Sequence, residues 1–251
     1  MIAYITGATS GIGEASAIKF ASMGWDVIIN GRRKEKLEAL KNQLEQTYHH
    51  QVLIHQYDVR NLAAAQEHIS TLDAHWSKVD VLVNNAGLAV GKGPFQEGIY
   101  DDWERMIDTN LKGLIYVSRE LTPLMIRNKK GHIINIASLA GIESYAGGNV
   151  YCATKHGVRA LSRAMRIDLL KEGIKVSVVS PGAANTEFSL VRYKGDRIQA
   201  DRTYEGFEPL TGKDVAESVY FIATQPAHVN IEEIFLLPTA QATSTIIQRN
   251  N

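Results

Sequence analysis

Seven short runs rich in valine and isoleucine constrain this chain more than any other feature of it. They cover residues 2–6, 26–30, 52–57, 79–83, 132–137, 175–180 and 231–237. None shows the polar alternation of a sheet with one wet face. Near-continuous apolar strands are what a parallel sheet requires when helices cover both its faces. The stretches between them carry helical periodicity: 13–23, 34–47, 62–75, 101–127, 150–171 and 213–224. Strand and helix alternate, which predicts an α/β fold, a doubly wound parallel sheet in three layers. Right-handed crossovers then bring every strand's C-terminal end to one edge of the sheet.

Composition narrows the function classes. With 251 residues, 45% of them hydrophobic, the chain is long enough to bury a core without staples. Acidic and basic residues balance at 27 each, so no charge excess points to nucleic acid or a membrane surface. The lone Cys152 excludes an internal disulfide, fits a reducing, cytoplasmic compartment and reads as a packing residue rather than a nucleophile. No apolar run approaches the roughly 20 residues of a membrane span. The first residues pass directly into a strand-like run, leaving no room for a signal peptide. No linker or repeat divides the chain, so 1–251 reads as one domain. The least periodic segment is 188–210, dense in charge from Arg192 to Glu208. It reads either as a lid over a site or as an ordinary solvated excursion. Residues 241–251 show no pattern.

The first strand runs into Thr6-Gly7-Ala8-Thr9-Ser10-Gly11-Ile12-Gly13, and a helix follows. Glycines permit a tight turn and close backbone approach. The helix N-terminus offers free N–H groups and partial positive charge to a pyrophosphate. Without its strand-to-helix context, the cluster would be only a glycine-rich turn. The second strand ends Asn30-Gly31-Arg32-Arg33. An NAD ribose site would place an acid about 20 residues after the glycines. Here a neutral residue and two arginines stand instead, and guanidinium groups suit a 2′-phosphate. NADP(H) is therefore the expected cofactor, although the same arginines would also serve to start a solvated helix. Asp58-Val59, after the third strand, would meet the adenine edge, or else Asp58 is only a capping residue.

Three further elements contribute polar groups: Asn84-Asn85-Ala86-Gly87 after the fourth strand, Ser138 after the fifth, and Tyr151-x-x-x-Lys155 early in a helix. The last spacing sets both side chains on one helix face. An adjacent ammonium favours phenolate and is expected to bring a phenol toward useful acidity. Ser138 would donate a hydrogen bond to the substrate oxygen. By itself the Tyr/Lys pair is equally a structural tyrosine on an amphipathic helix. No His or Cys pair has metal-ligand spacing, so no catalytic metal is expected.

Taken together, these motifs resemble the short-chain dehydrogenase/reductase family. Thr6-Gly7-x-x-x-Gly11-Ile12-Gly13, Asn84-Asn85-Ala86-Gly87, Asn110, Ser138, Tyr151-x-x-x-Lys155 and Pro181-Gly182 occur in the family's order. The resemblance implies a Rossmann-type seven-stranded sheet and a homotetramer. It makes Tyr151 the proton donor and acceptor, Ser138 the partner of the substrate oxygen, Lys155 a ligand of the nicotinamide ribose and Asn110 the holder of a relay water. It assigns the backbone around Pro181, Gly182, Ala184 and Thr186 to the carboxamide. Within the family the chain is most similar to NADP-dependent 3-hydroxy acid dehydrogenases, through Tyr145-Ala146-Gly147-Gly148-Asn149-Val150-Tyr151, Thr186-Glu187-Phe188-Ser189-x-Val191-Arg192 and Pro226-Ala227-His228-Val229-Asn230-Ile231. Ala184 stands where valine is usual. Arg192 is the candidate for a substrate carboxylate, against the plainer reading of a surface arginine. Two alternatives stay open: a reductase of an uncharged ketone, and a non-catalytic NADP(H)-binding protein.

Overall fold

The computed structural model describes residues 1–250. Its order is β1 (Ile2–Ile5), α1 (Gly11–Ser22), β2 (Asp26–Gly31), α2 (Lys34–Tyr48), β3 (Val52–Gln56), α3 (Leu62–Ser70), β4 (Val81–Asn84), α4 (Tyr100–Ile107), a π-helical stretch (Asp108–Gly113), α5 (Leu114–Arg127), β5 (His132–Ile136), α6 (Asn149–Asp168), β6 (Lys175–Pro181), β7 (Ala184–Asn185), α7 (Glu187–Arg192), α8 (Arg197–Arg202), β8 (Leu210–Thr211), α9 (Gly212–Ala223) and β9 (Glu233–Leu236). The main sheet has strand order β3-β2-β1-β4-β5-β6-β9. Every pairing in it is parallel. All seven expected strands are present, and the fold is the Rossmann-type α/β sheet.

Alternate side chains of one strand feed two cores. Ala3 and Ile5 of β1 pack with Phe20, Trp25, Leu37, Val215 and Val219 under α1, α2 and α9. Ile2 and Tyr4 pack with Val117, Leu121 and Met125 under α5 on the other face. Burying one such side chain is worth about 1.5–3 kcal/mol. This two-sided burial is why the strands lack polar alternation. The order reverses between β1 and β4, and ligands of open α/β sheets bind at such a switch point.

Two helices differ from the sequence reading. The expected helix at 62–75 ends at Ser70, where Ser70 and Thr71 turn their hydroxyls back to the Glu67 carbonyl. Asp73 then accepts from the His75 and Trp76 amides and holds a separate turn. The expected helix at 101–127 runs unbroken but widens to a π-helical stretch at Asp108–Gly113, where Asn110 bonds to Leu88 and Thr154. Within 188–210 the structure places α7 and α8, capped by Thr186 and Asp196, and the β7–β8 pair flanks them. Among the described residues no helix is long and apolar enough to cross a membrane.

Candidate active site

The C-terminal ends of β1 to β6 open into one cavity of about 980 Å³. At one end lies the turn from β1 into α1. Gly7 and Gly11 both have positive φ, +66° and +59°, which only glycine adopts without strain. A Cβ on Gly13 would run into the Gly7 carbonyl oxygen and the Asn85 side-chain amide. Asn85 locks this turn by donating to the Thr6 and Gly7 carbonyls at 2.9 and 3.2 Å. Ser10 precedes α1 without a side-chain cap bond to it, and Ser10, Gly11 and Ile12 line the cavity. These features fit a pyrophosphate.

Both arginines line the same end. Arg33 donates to the Thr9 and Ser10 hydroxyls at 2.8 and 2.9 Å and to Glu187 at 2.7 Å. Arg32 is the freer of the two, with only Asp58 at 3.5 Å. A 2′-phosphate fits between these guanidinium groups and the two hydroxyls. Burial opposes the charge of Asp58, but hydrogen bonds and charge from Arg60 win and hold its carboxyl below the ordinary value. Val59 packs on Gly113 beside it.

At the other end, Tyr151 and Lys155 are 7% and 5% exposed. The expected spacing on one face of α6 is present, and Lys155 reaches the end of β5. Its Nζ donates to the Ile136 carbonyl at 2.9 Å and stands 6.0 Å from the centre of the Tyr151 ring. Burial lowers the Lys155 pKa to about 8. Burial also pushes the Tyr151 phenol well above its ordinary value, and nearby Tyr145 adds to this. The groups pulling it down are the Ser138 hydroxyl and the Arg192 charge. Lys155 Nζ keeps two further N–H donors beyond its bond to Ile136, and a second cation, Arg192, comes from α7.

Asn110 is 2% exposed. Its side chain accepts from the Leu88 amide at 2.8 Å and donates to the Leu88 carbonyl at 2.9 Å and the Thr154 hydroxyl at 3.0 Å. It thereby ties the loop after β4 to α6. A Cβ on Gly87 would stand 3.3 Å from Asn110 Oδ1 and 3.4 Å from Lys155 Nζ, so this glycine keeps the space between them open.

Arg192 ends α7 and lies over the Tyr145 and Tyr151 rings, at 5.4 and 5.7 Å. Its Nη1 donates to the Tyr145 hydroxyl at 2.9 Å. Its Nε and Nη2 are buried without partners. The segment is held in place by Gly91 N donating to the Arg192 carbonyl and by the Lys194–Asp102 ion pair.

Sequence reading missed several lining residues. Tyr145 carried a motif but no role. Gln241 is 8% exposed, accepts from the Ala183 amide at 2.7 Å and occupies the space a Cβ on Gly182 would need. Ser244 donates to Glu143, five residues beyond Ser138, and Arg249 donates to the Thr203 and Glu205 carbonyls. Polar residues of a short tail leave no periodic signal, so nothing in the pattern marked them.

The model of the short chain dehydrogenase family matches residues 1–195. This chain belongs to that family. The short-chain dehydrogenase is 49% identical to the NADP-dependent 3-hydroxy acid dehydrogenase of Salmonella typhi over 243 residues, 96% of each chain. It is 41% identical to the serine 3-dehydrogenase of Agrobacterium fabrum, over 95% of this chain and 94% of that one. Among solved structures it superposes on the closed form of a serine dehydrogenase complexed with NADP+, with a TM-score of 0.94, 45% identity and complete coverage of both chains. This short-chain dehydrogenase is an oxidoreductase of CH–OH groups.

Proposed function

We propose that the enzyme moves hydride between NADP(H) and the hydroxyl-bearing carbon of a short 3-hydroxy acid of the serine, allo-threonine or 3-hydroxypropionate kind, or the matching carbonyl. The observation that carries the substrate class is Arg192, with two buried, unpartnered nitrogens beside Tyr151. A buried donor without a partner costs about 1–3 kcal/mol. Nε and Nη2 form the side-on fork of a guanidinium, which matches the two oxygens of a carboxylate. Tyr145 holds the third nitrogen and so fixes the orientation of that fork. The NADP-dependent relatives support the same cofactor here, as does the placing of Arg32 and Arg33.

When bound, the nicotinamide takes up or supplies the hydride. Ser138 holds the substrate oxygen, and Tyr151 takes its proton during oxidation or returns it during reduction. Lys155 holds the nicotinamide ribose and, past Gly87, faces Asn110, where a water would link the phenol to solvent. Gly7, Thr9, Ser10, Gly11, Ile12 and Gly13 cradle the phosphates, and Asn85, Ala86 and Gly87 line the nicotinamide side. Asp58 and Val59 border the adenine. Pro181, Gly182, Ala184 and Thr186 place backbone at the carboxamide. Residues 188–210, carrying α7 and α8, act as the lid.

The family resemblance supports a homotetramer, measurable by light scattering. The lone Cys152 supports a cytoplasmic location. NADPH consumption across a carbonyl panel tests the substrate class. Semialdehydes bearing a carboxylate should be turned over with a kcat/KM about tenfold or more above uncharged analogues. Equal turnover would move the assignment to an uncharged ketone.

A further inference from the structure

Glu187 opens α7 and stands between two cations of the phosphate end. Arg33 Nη1 lies 2.7 Å from one of its carboxylate oxygens, and Lys36 Nζ 2.6 Å from the other. The same Arg33 reaches the Thr9 and Ser10 hydroxyls. Every nitrogen of Arg33 is thus engaged: Nε and Nη2 on the turn from β1 into α1, and Nη1 on Glu187. Glu187 itself lies five residues from Arg192 on the same short helix.

We infer that Glu187 is a selectivity residue for the cofactor: its carboxylate competes with the 2′-phosphate for Arg33, and Lys36 keeps hold of it when the phosphate takes the guanidinium. The inference rests on the NADP(H) reading above. A carboxylate and a phosphate oxygen want the same guanidinium donors, and they repel each other. Lys36 gives the displaced carboxylate a second home, so α7 stays anchored while Arg33 changes partner. A cofactor without the 2′-phosphate has nothing to offer Arg33 and leaves the Glu187 bridge untouched. The competition is mild, because both side chains are about two-fifths exposed and water screens them.

The test compares adenosine 2′,5′-bisphosphate with adenosine 5′-monophosphate by titration calorimetry on the wild-type chain, E187Q and E187A. Thermal melts check that each variant is folded, as a half-exposed position allows. Removing the carboxylate should tighten the bisphosphate about two- to fivefold and leave the monophosphate unchanged. E187A answers for E187Q, whose amide still reaches Arg33. Unchanged or weaker bisphosphate binding in both variants would overturn the inference, and so would equal tightening of both nucleotides. The wild-type chain tests the underlying reading separately. If it binds the bisphosphate no better than the monophosphate, the NADP(H) reading fails before Glu187 is considered.

Discussion

At the phosphate end of the cavity, Gly7, Gly11 and Gly13 bring bare backbone and a helix N-terminus to the ligand, with Asn85 pinning the turn from behind. At the chemical end, Tyr145, Tyr151 and Arg192 meet as side chains from three separate segments, among them a six-residue helix. The first end is fixed by sterics that belong to the main chain. The second is fixed by packing and hydrogen bonds between residues far apart in sequence. A backbone site tolerates almost no added atoms, whereas a side-chain site changes its ligand when one head group changes.

Four variants sharpen or break that contrast. Tyr151→Phe should cost the most: about a hundred- to ten-thousandfold in kcat, with NADPH affinity by fluorescence nearly unchanged. Loss of NADPH binding instead would mean the two ends are not separable. Arg192→Met should lower kcat/KM for a hydroxy acid about ten- to a hundredfold and leave an uncharged alcohol little affected. Equal losses on both would remove the carboxylate role. Gly13→Ala should weaken NADPH about tenfold, since a displaced turn forfeits about one good hydrogen bond, and should lower stability by about 1–3 kcal/mol. Normal affinity there would show that the turn yields more easily than its contacts imply.

The fourth effect is one of stability alone. The folded Lys155 releases its proton at about pH 8, below the unfolded value. Between those values the unfolded chain binds the extra proton, so stability rises with pH through that window. Below about pH 8 the penalty is fully present. It amounts to roughly 3 kcal/mol by the linkage of 1.36 kcal/mol per unit, less what the bond to Ile136 returns. Lys155→Met should therefore raise the urea midpoint at pH 7 and lose most of that gain by pH 10. A gain that did not shrink toward pH 10 would assign it to packing instead.

The sheet and the phosphate end were legible because their signals are local. Two-sided burial writes itself as unbroken valine and isoleucine, and a positive-φ turn writes itself as glycine. The π-helical stretch around Asn110 was not legible, because its bonds to Leu88 and Thr154 join residues far apart in sequence. The setting of Lys155 was invisible for a related reason: its spacing placed it beside Tyr151, but only the position of the Ile136 carbonyl decides where its nitrogen points. Arg192 could be named as a candidate from its place after Thr186-Glu187-Phe188. Its partner Tyr145 and the tail around Gln241 come together only in three dimensions.

A crystal structure of the chain with NADP+ and a short 3-hydroxy acid tests the account most directly. It should show the carboxylate on Nε and Nη2 of Arg192, with the hydroxyl oxygen bonded to both Ser138 and Tyr151 and its carbon facing the nicotinamide. A carboxylate bound elsewhere, with the Tyr151 hydroxyl turned from the substrate, would contradict it.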